Sequence, residues 1–331
     1  MTMNAELQKT CELFIKNRDI LHDNFRWDGN EMHLVGSAII TGDGKTADAD
    51  ALKKCEEIIK EKTGFFSAYR GNAKIAVMCR MAESEDPEGY LDRVIAAAEK
   101  IAEHGRMREE IAAVAGMVIA DANGDLTDKA ESVYSTLSAD KRYRNSSGVC
   151  VLAAMIACSG KDPQALLSES DACYERLADT LPAGYLASLS LVLAMDGRSV
   201  AEKCDKTKEL FLKLRDSGKR FGSGEEISIL GLLSALDMNN DEIVSLISEA
   251  DTYLRAQKGF GMFGCGPTFR RMYAAILVMD TFMKDDTASG VAAAHVVESA
   301  VDADFIMLMN LMAVNVLVMN TSILQPMSAD K

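Results

Sequence analysis

The sequence predicts an all-α fold of stacked helical hairpins, for two reasons. A weak internal repeat of roughly 38 to 40 residues runs along the chain, which is within the range of helical-hairpin arrays. In each repeat a charged amphipathic helix alternates with a helix of small and apolar residues. Such a hairpin cannot bury its own apolar face and depends on its neighbours. The small-residue segments are 32–41, 72–83, 109–120, 147–158, 184–195, 225–236, 269–282 and 304–319.

The charged segments, which we call the outer helices, carry the period of an amphipathic helix. Within residues 50–63 the apolar positions Leu52, Cys55 and Ile59 recur at steps of three and four, with Lys and Glu between them. This spacing places the apolar side chains on one face of the helix, which we expect to pack inward. The same pattern recurs at residues 91–102, 200–214 and 243–254.

The ends of the outer helices are marked by residues that suit the backbone there. Pro87 and Pro163 each follow an Asp, as is typical of an N-cap followed by proline at the first helical position. Four outer helices are expected to end at a glycine with a positive φ angle. These glycines are Gly64, Gly105, Gly218 and Gly259. The apolar residues that follow, Phe65 and Phe260 among them, are expected to cover the helix end.

The small-residue segments, which we call the inner helices, are apolar nearly all round. Residues 112–116, 151–154 and 230–234 consist of Ala, Val, Leu, Gly and Ser. Helices of this composition are buried on most sides. Their small side chains let neighbouring backbones approach closely, as a tight stack or a closed ring of hairpins would require.

The most apolar stretch lies near the C-terminus, at residues 305–320. Its length of about 16 residues, interrupted by Asn310 and Asn315, is short of the roughly 20 residues that cross a bilayer. We therefore expect a terminal helix buried against the array and no membrane span. The alternative is a Met-rich interface with another protein or with a second copy of the chain, because Met adapts to irregular partners.

The repeat also predicts the domain organisation. An array grows by adding units, so its 331 residues need no domain boundary, and no Pro/Gly/Ser-rich linker interrupts them. We expect one continuous domain over residues 1–331, in which seven or eight hairpins form an α/α superhelix. The alternative architecture is a closed α/α toroid with the inner helices at its centre.

Charge and cysteine usage restrict the class of partner and the compartment. The net charge of −14 repels polyanions, so nucleic acid is not an expected partner. The first 12 residues are polar and lack the apolar region of a secretory signal, which predicts a cytoplasmic protein. The eight cysteines are scattered without a Cys-x-x-Cys pair, as expected of small buried apolar residues in a reducing compartment.

No motif in the sequence predicts a cofactor, a metal or a catalytic group. Residues 121–127 begin like a calcium loop, but Leu126 stands where glycine is required and Ser132 where a bidentate Glu is required. The four histidines are far apart, so no zinc-binding spacing is present. A nucleophile elbow of the Gly-x-Ser-x-Gly type is also lacking.

Charged side chains cluster instead at the starts of the inner helices. Equivalent positions in stacked repeats lie side by side, so these groups are expected to line one rim of the array. The candidate ligand-binding residues are Arg70, Arg108, Arg144, Arg270 and Arg271, and the acidic ones are Glu109, Glu110, Glu225 and Glu226. The plainer interpretation of this rim is a solvated edge of mutual ion pairs.

The longest irregular connection, residues 259–267, adds two glycines to the candidate site. It contains Gly261 and Gly264, and it leads into Arg270 and Arg271. Glycines let backbone N–H groups approach an anionic ligand, with the arginines at the start of the following helix. The alternative is a longer turn without a ligand.

Several phrases of the chain resemble DUF4003, a bacterial family of unknown function. They are the His33-Leu-Val-x-x-Ala38 segment, residues 60–70, the Phe221-Gly-Ser-Gly-Glu-Glu-Ile segment, and the Gly259-Phe-Gly-Met-Phe-Gly segment before Arg270 and Arg271. The resemblance runs along most of the chain. It implies a helical cytoplasmic protein and transfers no catalytic residue.

Three functions remain open at the level of sequence. We favour a non-catalytic module that binds a protein or peptide, because the regular pattern leaves no catalytic group unexplained. One alternative is a toroid enzyme whose central acidic pocket holds Glu109, Glu110, Glu225 and Glu226. The other is a regulator that binds a small anion or metabolite through the glycine-rich connection and the arginines.

Overall fold

The fold is all-α, as predicted. A computed structural model describes residues 3–103, 108–122, 124–143, 148–218, 227–261 and 265–282. Within these ranges the chain forms fourteen α-helices and three single 3-10 turns, and no strand. The 3-10 turns span Arg26–Asp28, Ala68–Arg70 and Ala183–Tyr185, and each of them leads into an inner helix.

Outer and inner helices alternate along the whole described chain. The outer helices are α1 Ala5–Asn24, α3 Ala49–Lys62, α5 Pro87–Ala102, α7 Thr127–Ala139, α9 Pro163–Leu177, α11 Val200–Asp216 and α13 Asn240–Arg255. The inner helices are α2 Asn30–Gly42, α4 Lys74–Glu83, α6 Glu109–Asp121, α8 Val149–Cys158, α10 Leu186–Met195, α12 Ile227–Ala235 and α14 Gly266–Phe282. Seven of the eight predicted inner segments are thus confirmed. The eighth, residues 304–319, lies outside the described residues, and so does the predicted Met-rich interface.

The helix starts follow the predicted capping chemistry. The Asp86 carboxylate accepts a hydrogen bond from the Gly89 N–H at 3.0 Å, with Pro87 in the first turn of α5. Asp162 does the same for the Ala165 N–H at 2.9 Å, ahead of Pro163 and α9. Each carboxylate satisfies one of the N–H groups that a helix start leaves without a partner.

The predicted glycine end is correct at Gly218, which follows the cap residue of α11. At Gly259 the positive φ angle is correct, but α13 already ends at Arg255. The prediction is wrong at Gly64. Gly218 and Gly259 adopt positive φ angles of 72° and 88°. Gly64 does not, because α3 ends differently: Thr63 is extended, and its hydroxyl donates to the Ile59 carbonyl at 2.6 Å. The end of α3 is therefore capped by a side chain and needs no left-handed residue. Gly105 lies outside the described residues.

The helices group into two compact units, which we describe separately. Among the described residues, the first unit consists of residues 16–158, and the second consists of residues 3–15 with residues 159–282. In both units inner helices pack against outer helices and against neighbouring inner helices of the same unit. The inner helices are buried almost throughout, as their composition predicts. The single continuous domain, the superhelix and the toroid stay predictions.

In the first unit an inner helix approaches the backbone of an outer helix closely at a glycine. Gly116 lies in the middle of α6, against the backbone of α5. A Cβ atom at this position would lie 2.4 Å from the carbonyl oxygen of Val94, well inside van der Waals contact. Glycine is therefore required here by backbone packing and not by its φ angle.

The second unit joins the beginning of the chain to its last described helix. Phe14 of α1 lies among aromatic neighbours, with its ring centroid 6.1 Å from that of Phe260 and 5.5 Å from that of Tyr273. The hydroxyls of Thr10 and Thr281 share a hydrogen bond of 2.9 Å. Phe260 is fully buried, and its role in covering the end of α13 stays a prediction.

Lysines from outer segments close the carboxyl ends of three inner helices. Lys129 donates to the Ala157 carbonyl at 2.9 Å, and Lys161 donates to the Met195 carbonyl at 2.6 Å. Lys206 donates to the Leu236 carbonyl. Cations at these positions satisfy carbonyls without an intrahelical partner and suit the negative end of the helix dipole.

Candidate functional site

Three large aromatic side chains face solvent at one end of the first unit. Among the described residues, Trp27, Phe65 and Phe66 are the exposed large apolar side chains, with exposed fractions of 100%, 77% and 95%. Trp27 lies in the connection that enters α2, and the two phenylalanines lie in the connection that enters α4. We call these three residues the aromatic edge.

An ion pair anchors the turn that carries Trp27 to the start of α4. The neighbouring Asp28 forms an ion pair with Lys74, at the start of α4, over a distance of 2.5 Å. Lys74 also pairs with Glu56 at 3.0 Å. Burial lowers the pKa of Lys74, but hydrogen bonds and charges from Asp28 and Glu56 outweigh burial and raise it above the ordinary value. The lysine thus stays charged and ties the turn of Trp27 to α4.

The backbone before α2 restrains the same turn from its other side. Phe25 is buried, and its carbonyl oxygen lies 2.8 Å from Nε2 of the buried His33. Burial lowers the pKa of His33, so the ring is neutral at pH 7 and donates this hydrogen bond through Nε2. Gly29 adopts a φ angle of 81°, which lets the chain turn into the helix.

The connection that carries Phe65 and Phe66 is anchored at both ends. Their rings meet edge to face, with centroids 5.2 Å apart. On one side Arg70 donates to the Thr63 carbonyl at 2.6 Å and to the Lys60 carbonyl, which closes the end of α3. On the other side the Glu109 carboxylate accepts from the Ser67 hydroxyl at 2.9 Å and from the Ala68 N–H at 3.0 Å.

These contacts connect the turns of the edge in series. The Asp28–Lys74 pair joins the turn of Trp27 to the start of α4, and Glu109 joins the turn of the phenylalanines to the start of α6. The exposed aromatic side chains are therefore presented by ordered backbone that polar contacts help to anchor. Large aromatic side chains that are exposed on ordered turns are typical of interaction sites.

The predicted rim residues of the first unit lie at this same end, and each makes a structural contact. Arg70 closes the end of α3, Glu109 caps the turn before α4, and Arg108 pairs with Glu110. Arg144 lies outside the described residues. The structure therefore brings Arg70, Glu109 and the aromatic edge together, and the binding role of the arginines stays a prediction.

Two of the predicted residues of the second unit, Arg270 and Arg271, lie in α14. Arg270 is buried, and it donates to Asp251 at 2.8 Å and to the Phe260 carbonyl at 3.0 Å. Arg271 is half-buried, and its Nε has no hydrogen-bond partner among the described residues. Gly261 is exposed. Gly264, Glu225 and Glu226 lie outside the described residues.

The contacts of Arg270 predict a structural role. Replacing Arg270 with Met is expected to lower the free energy of unfolding by about 2 kcal/mol, because the largely buried Asp251 loses a counter-ion and the Phe260 carbonyl loses a donor. Urea denaturation at pH 7 measures the change, with Arg271→Met as the matched control. Equal stability of the Arg270→Met variant and the wild type would contradict this role.

Sequence reasoning did not find the aromatic edge. Phe65 was expected to cover the end of α3, but it is exposed, because Thr63 and Arg70 already cap that end with polar groups. A usable signal was present in the sequence. Trp27, Phe65 and Phe66 stand outside every helical apolar period, in short connections rich in Gly, Asp and Ser.

Other kinds of site find no support within the described ranges. The described residues contain no group of three or more His, Cys, Asp or Glu side chains that could hold a metal ion. Of the helices that the structure describes, none combines the length and the hydropathy needed to cross a membrane.

Taken together, the helix order and the edge define a helical-hairpin protein that presents aromatic side chains from the connections into its inner helices. The chain belongs to the family DUF4003, whose description is "protein of unknown function" and whose model matches residues 17–306. No curated protein and no solved structure matches the chain.

Proposed function

We propose that this protein is a non-catalytic binding module that holds a protein partner through its aromatic edge. The observation that carries the proposal is the nearly complete exposure of Trp27, Phe65 and Phe66 on turns that are anchored by ion pairs and backbone hydrogen bonds. Burying these side chains against a partner would remove a large apolar area from water.

The anchoring of the turns favours binding energetically. A partner that meets an ordered turn does not have to supply the free energy of ordering its backbone. Trp and other aromatic residues dominate the energetics of protein interfaces, and each central residue contributes about 2 kcal/mol or more when truncated. The edge-to-face packing of Phe65 and Phe66 keeps the two rings together as one contact element.

Charge indicates the chemistry of the partner. The chain has a net charge of −14, which steers basic proteins toward it and repels acidic ones and anionic bilayers. We therefore propose a protein with an apolar contact patch surrounded by Lys and Arg. A second copy of this chain has the same negative charge and is disfavoured on that ground.

The contacts of the predicted acidic residues also support a non-catalytic role. Glu109 is occupied by Ser67 and Ala68, and Glu110 by Arg108, so the two carboxylates do not pair with each other. General acid and base catalysis by carboxylates usually depends on such a pair with separated pKa values.

The experiment compares three forms of the full chain as bait in the native cell extract. The triple variant Trp27→Ser, Phe65→Ser, Phe66→Ser removes the aromatic edge, and the control Lys53→Ser, Lys54→Ser, Glu57→Ser changes three exposed residues of α3. A protein captured by the wild type and the control is purified, and its affinity is measured by calorimetry. We expect the triple variant to weaken binding at least about tenfold and the control to leave it unchanged.

The outcomes separate the alternatives. Equal affinity of all three forms for every captured protein would overturn the proposal. Flotation with zwitterionic phosphatidylcholine vesicles that the triple variant abolishes would replace the protein partner with a lipid surface. A dimer in light scattering that dissociates only in the triple variant would make the partner a second copy of the chain.

A further inference from the structure

Two cysteines of neighbouring outer helices meet inside the second unit. Cys173 of α9 and Cys204 of α11 are both fully buried, and Cys204 Sγ lies 4.0 Å from the carbonyl oxygen of Cys173. The two thiols also interact directly with each other. Because α9 and α11 pack side by side, the two cysteines lie on neighbouring helices, as a disulfide between the helices requires.

Ion pairs hold α9 against α11 on both sides of the thiols. The fully buried Lys203 of α11 pairs with Glu169 of α9 and donates to the Asp196 carbonyl at 2.8 Å. Arg176 of α9 pairs with Asp205 of α11 at 2.7 Å. The contacts of the buried Lys203 hold α9 against α11 where Cys173 and Cys204 meet, and the exposed Arg176–Asp205 pair adds little to them.

The surroundings make the two thiols unequal. The pKa of Cys204 is lowered, because the Cys173 thiol hydrogen-bonds to it and because Lys203 and Arg176 add positive charge. The pKa of Cys173 is raised by the same thiol contact and by burial. Cys204 is thus the better nucleophile. Cys173 keeps its proton while Cys204 is a thiolate, and the thiol contact that raises its pKa is lost once Cys204 is oxidised, which frees Cys173 to attack.

The other cysteines differ from Cys204 in this respect. Burial raises the pKa of Cys11 and Cys150 to about 12, and that of Cys55 and Cys158 to about 11. Their thiols are therefore protonated at neutral pH and react slowly with oxidants. An oxidant is therefore expected to attack Cys204 first because of the charges around its thiol, and not because this thiol is more exposed than the others.

A small oxidant is expected to reach the thiols beside an exposed ion pair between α9 and α11. Arg176 is three residues after Cys173 and Asp205 directly follows Cys204, so their ion pair lies at the surface next to the thiols. The side chains of this pair are 41% and 60% exposed. Surface ion pairs of this kind are weak and open readily.

We propose that Cys173 and Cys204 are a modification site that hydroperoxides convert to an intramolecular disulfide. The Cys204 thiolate attacks the terminal peroxide oxygen, the O–O bond breaks, and the other oxygen leaves as hydroxide or alkoxide and takes up a proton to become water or an alcohol. This makes Cys204 a sulfenic acid. The Cys173 sulfur then attacks the Cys204 sulfur, and the sulfenic hydroxyl leaves as water with the thiol proton. Each sulfur loses one electron, and the peroxide gains both.

The test uses the full chain, reduced and then treated with a small excess of hydrogen peroxide. Peptide mass spectrometry without reductant is expected to find the Cys173–Cys204 linkage at least about tenfold more often than any other cysteine pair. Dithiothreitol is expected to reverse it. Cys55 and Cys79 form an internal control, because they are also neighbours but both have raised pKa values.

Two variants test the assigned roles. Cys173→Ser is expected to trap Cys204 as a sulfenic acid that dimedone labels, whereas Cys204→Ser leaves Cys173 unlabelled. Far-UV circular dichroism checks that both variants fold, and the wild-type linkage decides the proposal if one does not. Reduced thiols at both positions while Cys158 or Cys265 is oxidised would overturn it, as would a linkage that forms only in urea.

Discussion

Replacing Arg80 with Met is expected to lower the free energy of unfolding by about 3–5 kcal/mol at pH 7. Arg80 lies in the last turn of α4, between the ends of two other inner helices. Its guanidinium contacts Asp43, after α2, at 3.0 Å and Asp121, at the end of α6, at 2.9 Å. Asp121 is only 7% exposed, so the variant would leave a buried carboxylate without its counter-ion.

The loss of stability in this variant depends on pH in a defined direction. Burial raises the pKa of Asp121 in the wild type, although Arg80 opposes the shift. A folded pKa above the unfolded value means that the contribution of Asp121 to stability is complete below pH 3.8 and is lost as pH rises through the folded pKa. Without Arg80 the folded pKa rises further. The difference between the variant and the wild type should therefore shrink as pH falls toward 4.

Urea denaturation of both forms across this pH range measures the effect. A second substitution, Asp121→Asn, removes the buried charge and is expected to restore part of the stability of the Arg80→Met variant at pH 7. The control is Arg176→Met, whose partner Asp205 is 60% exposed and should contribute little. A loss that is the same at pH 4 and pH 7 would exclude Asp121 as its cause.

Replacing Gly116 with Ala is expected to lower the free energy of unfolding by about 3 kcal/mol. The added Cβ would lie 2.4 Å from the Val94 carbonyl oxygen and 3.3 Å from the Cβ of Ala98, so α5 and α6 would have to separate. Alanine stabilises an isolated helix by about 1 kcal/mol relative to glycine. The expected loss of stability is what remains after this gain.

The matched control is Gly231→Ala, which also lies inside a buried inner helix, α12. A Cβ there would lie 3.0 Å from Val192 Cγ1 and 3.1 Å from Leu189 Cδ1, which are ends of side chains that can move. We expect nearly unchanged stability for this variant, by thermal and urea denaturation. Equal losses of stability in the two variants would show that the Val94 carbonyl oxygen is not the cause of the loss at Gly116.

Much of the fold was predictable because its determinants are local. The apolar period of Leu52, Cys55 and Ile59 predicts α3, and all three side chains are buried. Pro87 and Asp86 predict the start of α5, where the carboxylate caps the first turn. Helix period and capping depend on residues within one or two turns, so one sequence contains the information.

The candidate site was less predictable because its contacts join distant parts of the chain. The rim of charged residues was expected from the repeat, and Arg70 and Glu109 do lie at one end of the first unit. The sequence did not indicate that Arg70 would cap α3 and thereby leave Phe65 without a helix end to cover. Which of two side chains covers a helix end depends on three-dimensional packing.

The sequence by itself determined the class of this protein: the alternation of outer and inner helices, their caps, and the burial of the inner ones. These follow from periodicity and short-range hydrogen bonding. Only the tertiary structure decided which side chains are left over for binding or chemistry. Trp27, Phe65 and Phe66 are exposed, and Cys173 meets Cys204, because residues far apart in the chain occupy the space and the hydrogen bonds around them.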